Sequence, residues 1–194
     1  MSDQNDLISS IKLFLKGENQ AFDDLYEKTI QNVYRNVHFL IDEKADIDDV
    51  IQDIYIQVYK SLRKYDCERP FKPWLMGIVI RQLQSYRRKR WMRLRISKKA
   101  EAEVAGQINI PDFSNYIVDK ISNQRLVDLV NQLPYKLKQV VILRYLNDYS
   151  QEEVARILEI PIGTVKSRIH ASLRKLNAKG KESQLFLEKV RNVQ

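Results

Sequence analysis

The sequence predicts an all-α protein of two helical domains joined by a flexible linker, the C-terminal one containing a helix-turn-helix. Three observations carry this. Apolar residues recur in steps of three and four through most of the 194 residues, and nothing in the first helical block alternates with period two. Only five glycines and five prolines are present, too few for a turn-rich β fold or for extended disorder. One small, polar stretch, AEAEVAGQINIPDFSN, is broken by Gly106 and Pro111 and interrupts the periodicity near the middle of the chain.

The opening MSDQNDLISSIKLFLKGENQ lacks a basic n-region and a long apolar run, so it does not read as a signal peptide. From Ala21 to Ile41, the residues Phe22, Leu25, Tyr26, Ile30, Val33, Tyr34, Val37 and Leu40 mark a helix packed on one side. A second helix begins near Ile47, where Ile47, Val50, Ile51, Ile54, Tyr55, Val58 and Leu62 repeat the pattern. DCERPFKP ends it, and Pro73 suits the first turn of a third helix from about Trp74 through Trp91. Periodicity returns at Ile117; Pro134 interrupts it, and a helix follows from Lys136 to Leu146. Ser150 is placed to cap QEEVARIL, with Glu153 completing a capping box. A tight turn at Glu159–Pro161 leads into a last helix with Val165, Ile169, Leu173 and Leu176 along one stripe. The domains are therefore residues 1–99 and 117–180, with a linker at 100–116 and a tail at 181–194.

Composition narrows the function. Hydrophobic residues make up 44%, enough to bury a core, and the net charge of +8 suggests a polyanionic partner. Cys67 is the single cysteine and the two histidines, His38 and His170, lie far apart, which leaves no disulfide, zinc cluster or triad to build. There is no glycine-rich phosphate loop, and no stretch approaches the ~20 apolar residues of a membrane span. The expectation is a cytoplasmic protein that is not an enzyme, with no catalytic residues, metal, cofactor or small-molecule substrate.

Charge placement is more specific. Lys166 to Lys181 holds six Lys or Arg and no acid, whereas the hairpin's acids, Glu152, Glu153 and Glu159, fall in its first half. A plain αα-hairpin is the bland alternative; segregated cations favour a recognition helix in a DNA groove. Arg81 to Lys99 holds nine Lys or Arg and no acid, interleaved with Tyr86 and Trp91. Such a run is either a solvated face or a surface for single-stranded nucleic acid. By contrast DEKADIDDVIQD, Asp42 to Asp53, has six acids and one lysine. Asp46, Asp48, Asp49 and Asp53 suit a Mg²⁺ site for phosphodiester cleavage, a docking face for a basic partner, with Asp49, Gln52 and Asp53 on one side of the helix, or a plain solvated face.

AFDDLYEKTIQNVYR, IDDVIQDIYIQVYKSL, FKPWLMGIVIRQLQSYRRKR and LPYKLKQVVILRYLNDYSQEEVARILEIPIGTVKSRIHASLRKL together resemble an extracytoplasmic-function sigma factor, a specificity subunit of bacterial RNA polymerase. The resemblance runs from about Ala21 to Leu176 and implies a promoter-directing, promoter-opening protein. It implies that Asp48, Asp49, Gln52 and Asp53 bind core polymerase. It implies that Tyr65, Phe71, Lys72, Arg81, Ser85 and Arg88 hold a melted, single-stranded −10 element, Tyr65 and Phe71 as base contacts from a proline-bounded loop. It implies that Thr164, Lys166, Ser167, Arg168, His170 and Arg174 read a duplex −35 element. The family also implies an anti-sigma factor as partner. The chain departs from the pattern at Arg81 and Ser85, where Asn and Asp are common, at Gly77 and Ala171, where a basic residue is common, and at Glu159, where glycine is usual. If Glu159 is left-handed, its side chain costs on the order of 1 kcal/mol. A stand-alone helix-turn-helix regulator and a metal-dependent nuclease are the rivals.

Overall fold

The computed structural model describes residues 2–97 and 124–178, and the chain divides into two units, Met1–Ile110 and Pro111–Gln194. The division falls inside the predicted linker at 100–116, which, with Ile117, Ile121 and the tail at 181–194, lies outside the described residues. The described residues contain helices and turns and no strand.

In the first unit α1 (Ser2–Leu15), α2 (Gln20–Leu40), α3 (Ile47–Leu62) and α4 (Phe71–Ser97) pack on one another. Each buries one stripe, for which Leu25, Val33, Val37 and Leu40 serve on α2, and Val50, Ile54, Val58 and Leu62 on α3. Burial of each such side chain is worth about 1.5–3 kcal/mol. α1 is an element the sequence reading left unassigned. Leu7, Ile11 and Phe14, at i, i+4 and i+7, are its buried face and were the available signal. α4 begins at Phe71, three residues before the expected start, with Pro73 in its first turn as its missing N–H allows.

In the second unit the described helices are α5 (Gln124–Asn131), α6 (Tyr135–Val141), α7 (Gln151–Leu158) and α8 (Ile162–Ala178). The expected helix through Leu146 continues from α6 as a wider π-turn at Ile142–Leu146. α6 and α7 both pack on α8. The capping box forms as predicted: the Glu153 N–H donates to Ser150 Oγ at 3.1 Å, and the Ser150 N–H to Glu153 Oε2 at 2.8 Å.

Glu159 closes α7 in the left-handed region, at φ 54° and ψ 45°, while the Ile160 N–H donates to Ala155 O at 3.0 Å. This is a Schellman-type stop occupied by a residue with a Cβ. Glu159→Gly is expected to stabilise the unit by about 1 kcal/mol. A thermal melt of the two chains checks it; a midpoint no higher in the variant would contradict backbone strain at this turn.

Candidate functional site

α3 enters its first turn with Asp48 and Asp49, where the helix dipole favours carboxylates. Asp48, Asp49, Gln52 and Asp53 are all exposed, while Val50, Ile51, Ile54 and Val58 hold the opposite side in the core. The remaining acids of this segment turn the other way. Tyr86 Oη donates to Asp46 Oδ2 at 2.5 Å, Arg87 Nη1 donates to Asp42 Oδ2 at 2.5 Å, and Arg90 Nη2 reaches Glu43 Oε2 at 3.5 Å. The acidic segment is thus split between a structural clasp on α4 and an outward face. Burial and the Asp46 hydrogen bond push the Tyr86 phenol up, so it stays protonated as a donor.

Sequence reasoning missed what lies beside this face. An open trough of about 700 Å³ runs between α2 and α3, lined by Tyr26, Ile30 and Tyr34 on one side and Ile56 and Tyr59 on the other. Asp48 and Gln52 form part of its wall. Tyr26 had the spacing of a core residue, but it is exposed, as is Tyr59 across the trough.

Two expected −10 contacts are corrected by burial. Tyr65 is 6% exposed and Phe71 1%, so neither ring is available to a base. They form a three-ring cluster with half-buried Trp74, at centroid separations of 5.4, 4.9 and 5.4 Å. The Tyr65 hydroxyl donates to the Arg69 carbonyl, fastening the loop over the cluster. The physical reason is register: Phe71 opens α4 and lies i, i+4 and i+8 with buried Leu75 and Val79.

Burial pushes the Tyr65 phenol up to about 12. Its stabilising effect is therefore complete below pH 10 and lost as pH rises through about 12. Alkaline unfolding followed by far-ultraviolet circular dichroism should be shallower in Tyr65→Phe than in the wild type over that window. An identical pH profile would count against a buried phenol.

The other expected −10 residues are on or near the outer side of α4. Lys72, Arg81 and Arg88 are exposed, and Arg81, Ser85 and Arg88 follow one stripe at i, i+4 and i+7. Arg81 lies back over Gly77, its Nη1 3.5 Å from where a Cβ at Gly77 would stand. Ser85 is half-buried in a polar cleft with Asp49, Asp53, Lys89 and Arg93. Tyr86, interleaved with the cations in sequence but on the apolar side of the helix, is buried.

On α8 the inward stripe is Val165, Ile169, Ser172 and Leu176. Lys166, Ser167, His170 and Arg174 are exposed on one side, and Thr164 and Arg168 are half-buried at its margin. Ser172 Oγ donates to Arg168 O at 2.7 Å and Ser167 Oγ to Thr164 O at 3.0 Å, which satisfies both hydroxyls within the helix. Arg144, not singled out from sequence, shares a polar hollow with Ser150, Gln151 and Lys166, and its Nη1 donates to Tyr149 O at 3.2 Å. Hydrogen bonds at the helix start, aided by Lys166 and Arg144, hold the Glu152 carboxyl below its usual range.

Among the described residues no three His, Cys, Asp or Glu side chains group as a metal site, and no helix is long and apolar enough to cross a membrane.

Two family models match the chain, sigma-70 region 2 over residues 25–93 and sigma-70 region 4 over residues 123–176. The ECF RNA polymerase sigma factor SigW of Bacillus subtilis (strain 168) is 29% identical over 170 residues, covering 82% of this chain and 89% of the relative. Two solved structures share the fold at 20% identity. CnrH in complex with the cytosolic domain of CnrY has a TM-score of 0.61 and covers 91% of this chain and 96% of that one. The sigma factor RpoE in complex with the anti-sigma factor NepR, from Bartonella quintana, has a TM-score of 0.64 and covers 81% and 94%.

Proposed function

The chain belongs to the extracytoplasmic-function sigma factors, which direct RNA polymerase to promoters, and from that premise we propose how its surfaces divide the work. Asp48, Asp49, Gln52 and Asp53 hold core polymerase, with the trough between α2 and α3 taking the apolar side of the same partner. Lys72, Arg81, Ser85 and Arg88 hold the melted −10 strand. Tyr65 and Phe71 support that surface from beneath. Thr164, Lys166, Ser167, Arg168, His170 and Arg174 read the −35 duplex, with Arg168 mainly on phosphate. The domains are residues 1–99 and 117–180, a division supported by the two compact units and by the matched ranges.

This chain supplies promoter choice and strand separation, and polymerase supplies the chemistry; it is not itself an enzyme and works in the cytoplasm. An anti-sigma factor is a further partner. Support comes from the similar Bartonella quintana sigma factor, solved in complex with the anti-sigma factor NepR.

The observation that carries the division is the segregation of exposed charge. Acids face outward on α3, cations on α4 and α8, above helices whose other sides are buried. Transcription reconstituted from core polymerase and this chain on a cognate promoter tests it. Arg174→Ala is expected to weaken holoenzyme binding at the −35 element by about 1–3 kcal/mol if its guanidinium pairs with a base. A −35 footprint unchanged by Lys166→Ala and Arg174→Ala together would remove α8 from that role.

A further inference from the structure

α4 is longer than the unit it packs against. Its buried stripe runs through Leu75, Val79, Leu83 and Tyr86, Arg90 pairs with Glu43 at 3.5 Å, and Arg93 lines a cleft with Asp49 and Asp53. The helix continues to Ser97. Beyond the stripe, Trp91 and Leu94 are 57% and 47% exposed. An indole left in water at the end of a rigid helix forfeits a large burial gain, so a ligand that covers it gains strongly.

Two observations identify that ligand. The first is charge. Arg87 and Arg90 are neutralised by Asp42 and Glu43, and Lys89 and Arg93 line a cleft with Asp49 and Asp53, whereas exposed Arg88 and Arg95 have no ion-pair partner among the described residues. The second is ring geometry. The Arg95 guanidinium sits 4.6 Å from the Trp91 ring centroid, backing one face of the indole with a cation. An apolar protein partner would have to desolvate Arg88 and Arg95, a steep cost without acids to meet them. A lipid surface needs the apolar side chains on one face, but Met92 lies about 100° around the helix from Trp91, with Arg88 and Arg95 between them.

We propose that Trp91 is a stacking platform for an unpaired base, backed by Arg95, with Arg88 and Arg95 holding the flanking phosphates. The partner is single-stranded nucleic acid. The proposal rests on the strand-holding reading of α4 and adds a second base site at its far end. Trp91 is ten residues beyond Arg81, about 15 Å along the helix. That distance corresponds to roughly four base steps, so the two positions engage different bases of one strand.

Titration of the full chain with a twelve-nucleotide single-stranded DNA at low salt, read by tryptophan fluorescence and by anisotropy of a label on the DNA, tests this. The DNA should quench the fluorescence, and Trp91→Ala should abolish that quench and weaken binding about five- to a hundredfold. Trp91→Phe, which keeps a ring, should retain most of the affinity, and a fully paired duplex of the same sequence should not quench. Trp91 is exposed, so circular dichroism of the variants should match the wild type.

If Arg81→Ala and Arg88→Ala weaken binding while Trp91→Ala leaves affinity and quench intact, the platform is overturned and the strand-holding reading stands. If the wild-type chain does not bind the strand, alone or with core polymerase, both fail. Quenching with a blue shift on anionic phosphatidylglycerol vesicles but not on DNA would overturn the proposal in favour of a membrane contact.

Discussion

Phe71→Ala is expected to destabilise the first unit by about 3–5 kcal/mol, because it empties a site surrounded by packed side chains. Phe71 is 1% exposed, opens α4, and has Tyr65 and Trp74 against its ring, so no neighbour is free to collapse into the space. Domains of this size have only about 5–15 kcal/mol in hand, and the loss should lower the melting midpoint by well over ten degrees. Adding Tyr65→Ala should remove the loop clasp as well, since the Tyr65 hydroxyl donates to Arg69 O. Had these rings been surface base contacts, the same substitutions would leave melting near wild type and spoil only promoter opening. Thermal unfolding of the full chain followed by circular dichroism separates the two. A midpoint within a degree or two of wild type would return both rings to the nucleic-acid surface.

What misled the sequence reading here was composition. Two aromatics in a proline-bounded loop look displayed, but the side on which a ring falls depends on where the next helix starts. With α4 opening at Phe71, that residue joins Leu75 and Val79 at helical spacing, and the signal was present though unread. The hairpin of the second unit was legible because its signals are local. Ser150 and Glu153 are three residues apart, and Glu159, which the sequence raises as a possible left-handed stop, sits at φ 54° and ψ 45°.

Contacts that join distant segments were not legible. Asp42 and Arg87 are separated by 45 positions, and nothing in either neighbourhood says that part of the acidic run neutralises part of the basic one. The trough was hidden for a related reason. Tyr26 has core spacing, and only the way α2 and α3 pack leaves it lining an opening opposite Tyr59.

The triple variant Asp49→Ala, Gln52→Ala, Asp53→Ala is expected to lose core polymerase by a hundredfold or more, about 3 kcal/mol. All three side chains are exposed on one side of α3 while Val50, Ile54 and Val58 anchor the other. Surface changes of this kind usually stay within about 0.5 kcal/mol of folding stability each, so the melt should be nearly unmoved. Ile56→Arg probes the apolar half of the same surface, since Ile56 is 44% exposed and lines the trough. It should weaken docking without touching the acids, which separates a mixed apolar and acidic interface from a purely electrostatic one. The nuclease reading makes the opposite demand, that the acids gather around one Mg²⁺. Asp46 is held by the Tyr86 hydroxyl. Asp48 and Asp53, five residues apart on a helix, project about 140° from each other. Gln52 stands beside Asp49 and Asp53, where it adds hydrogen bonds to a polar interface and no charge to a metal. Mg²⁺-dependent cleavage of DNA by the wild-type chain, abolished in the triple variant, would favour the nuclease. Retention of core polymerase at wild-type affinity by that variant would remove α3 from docking.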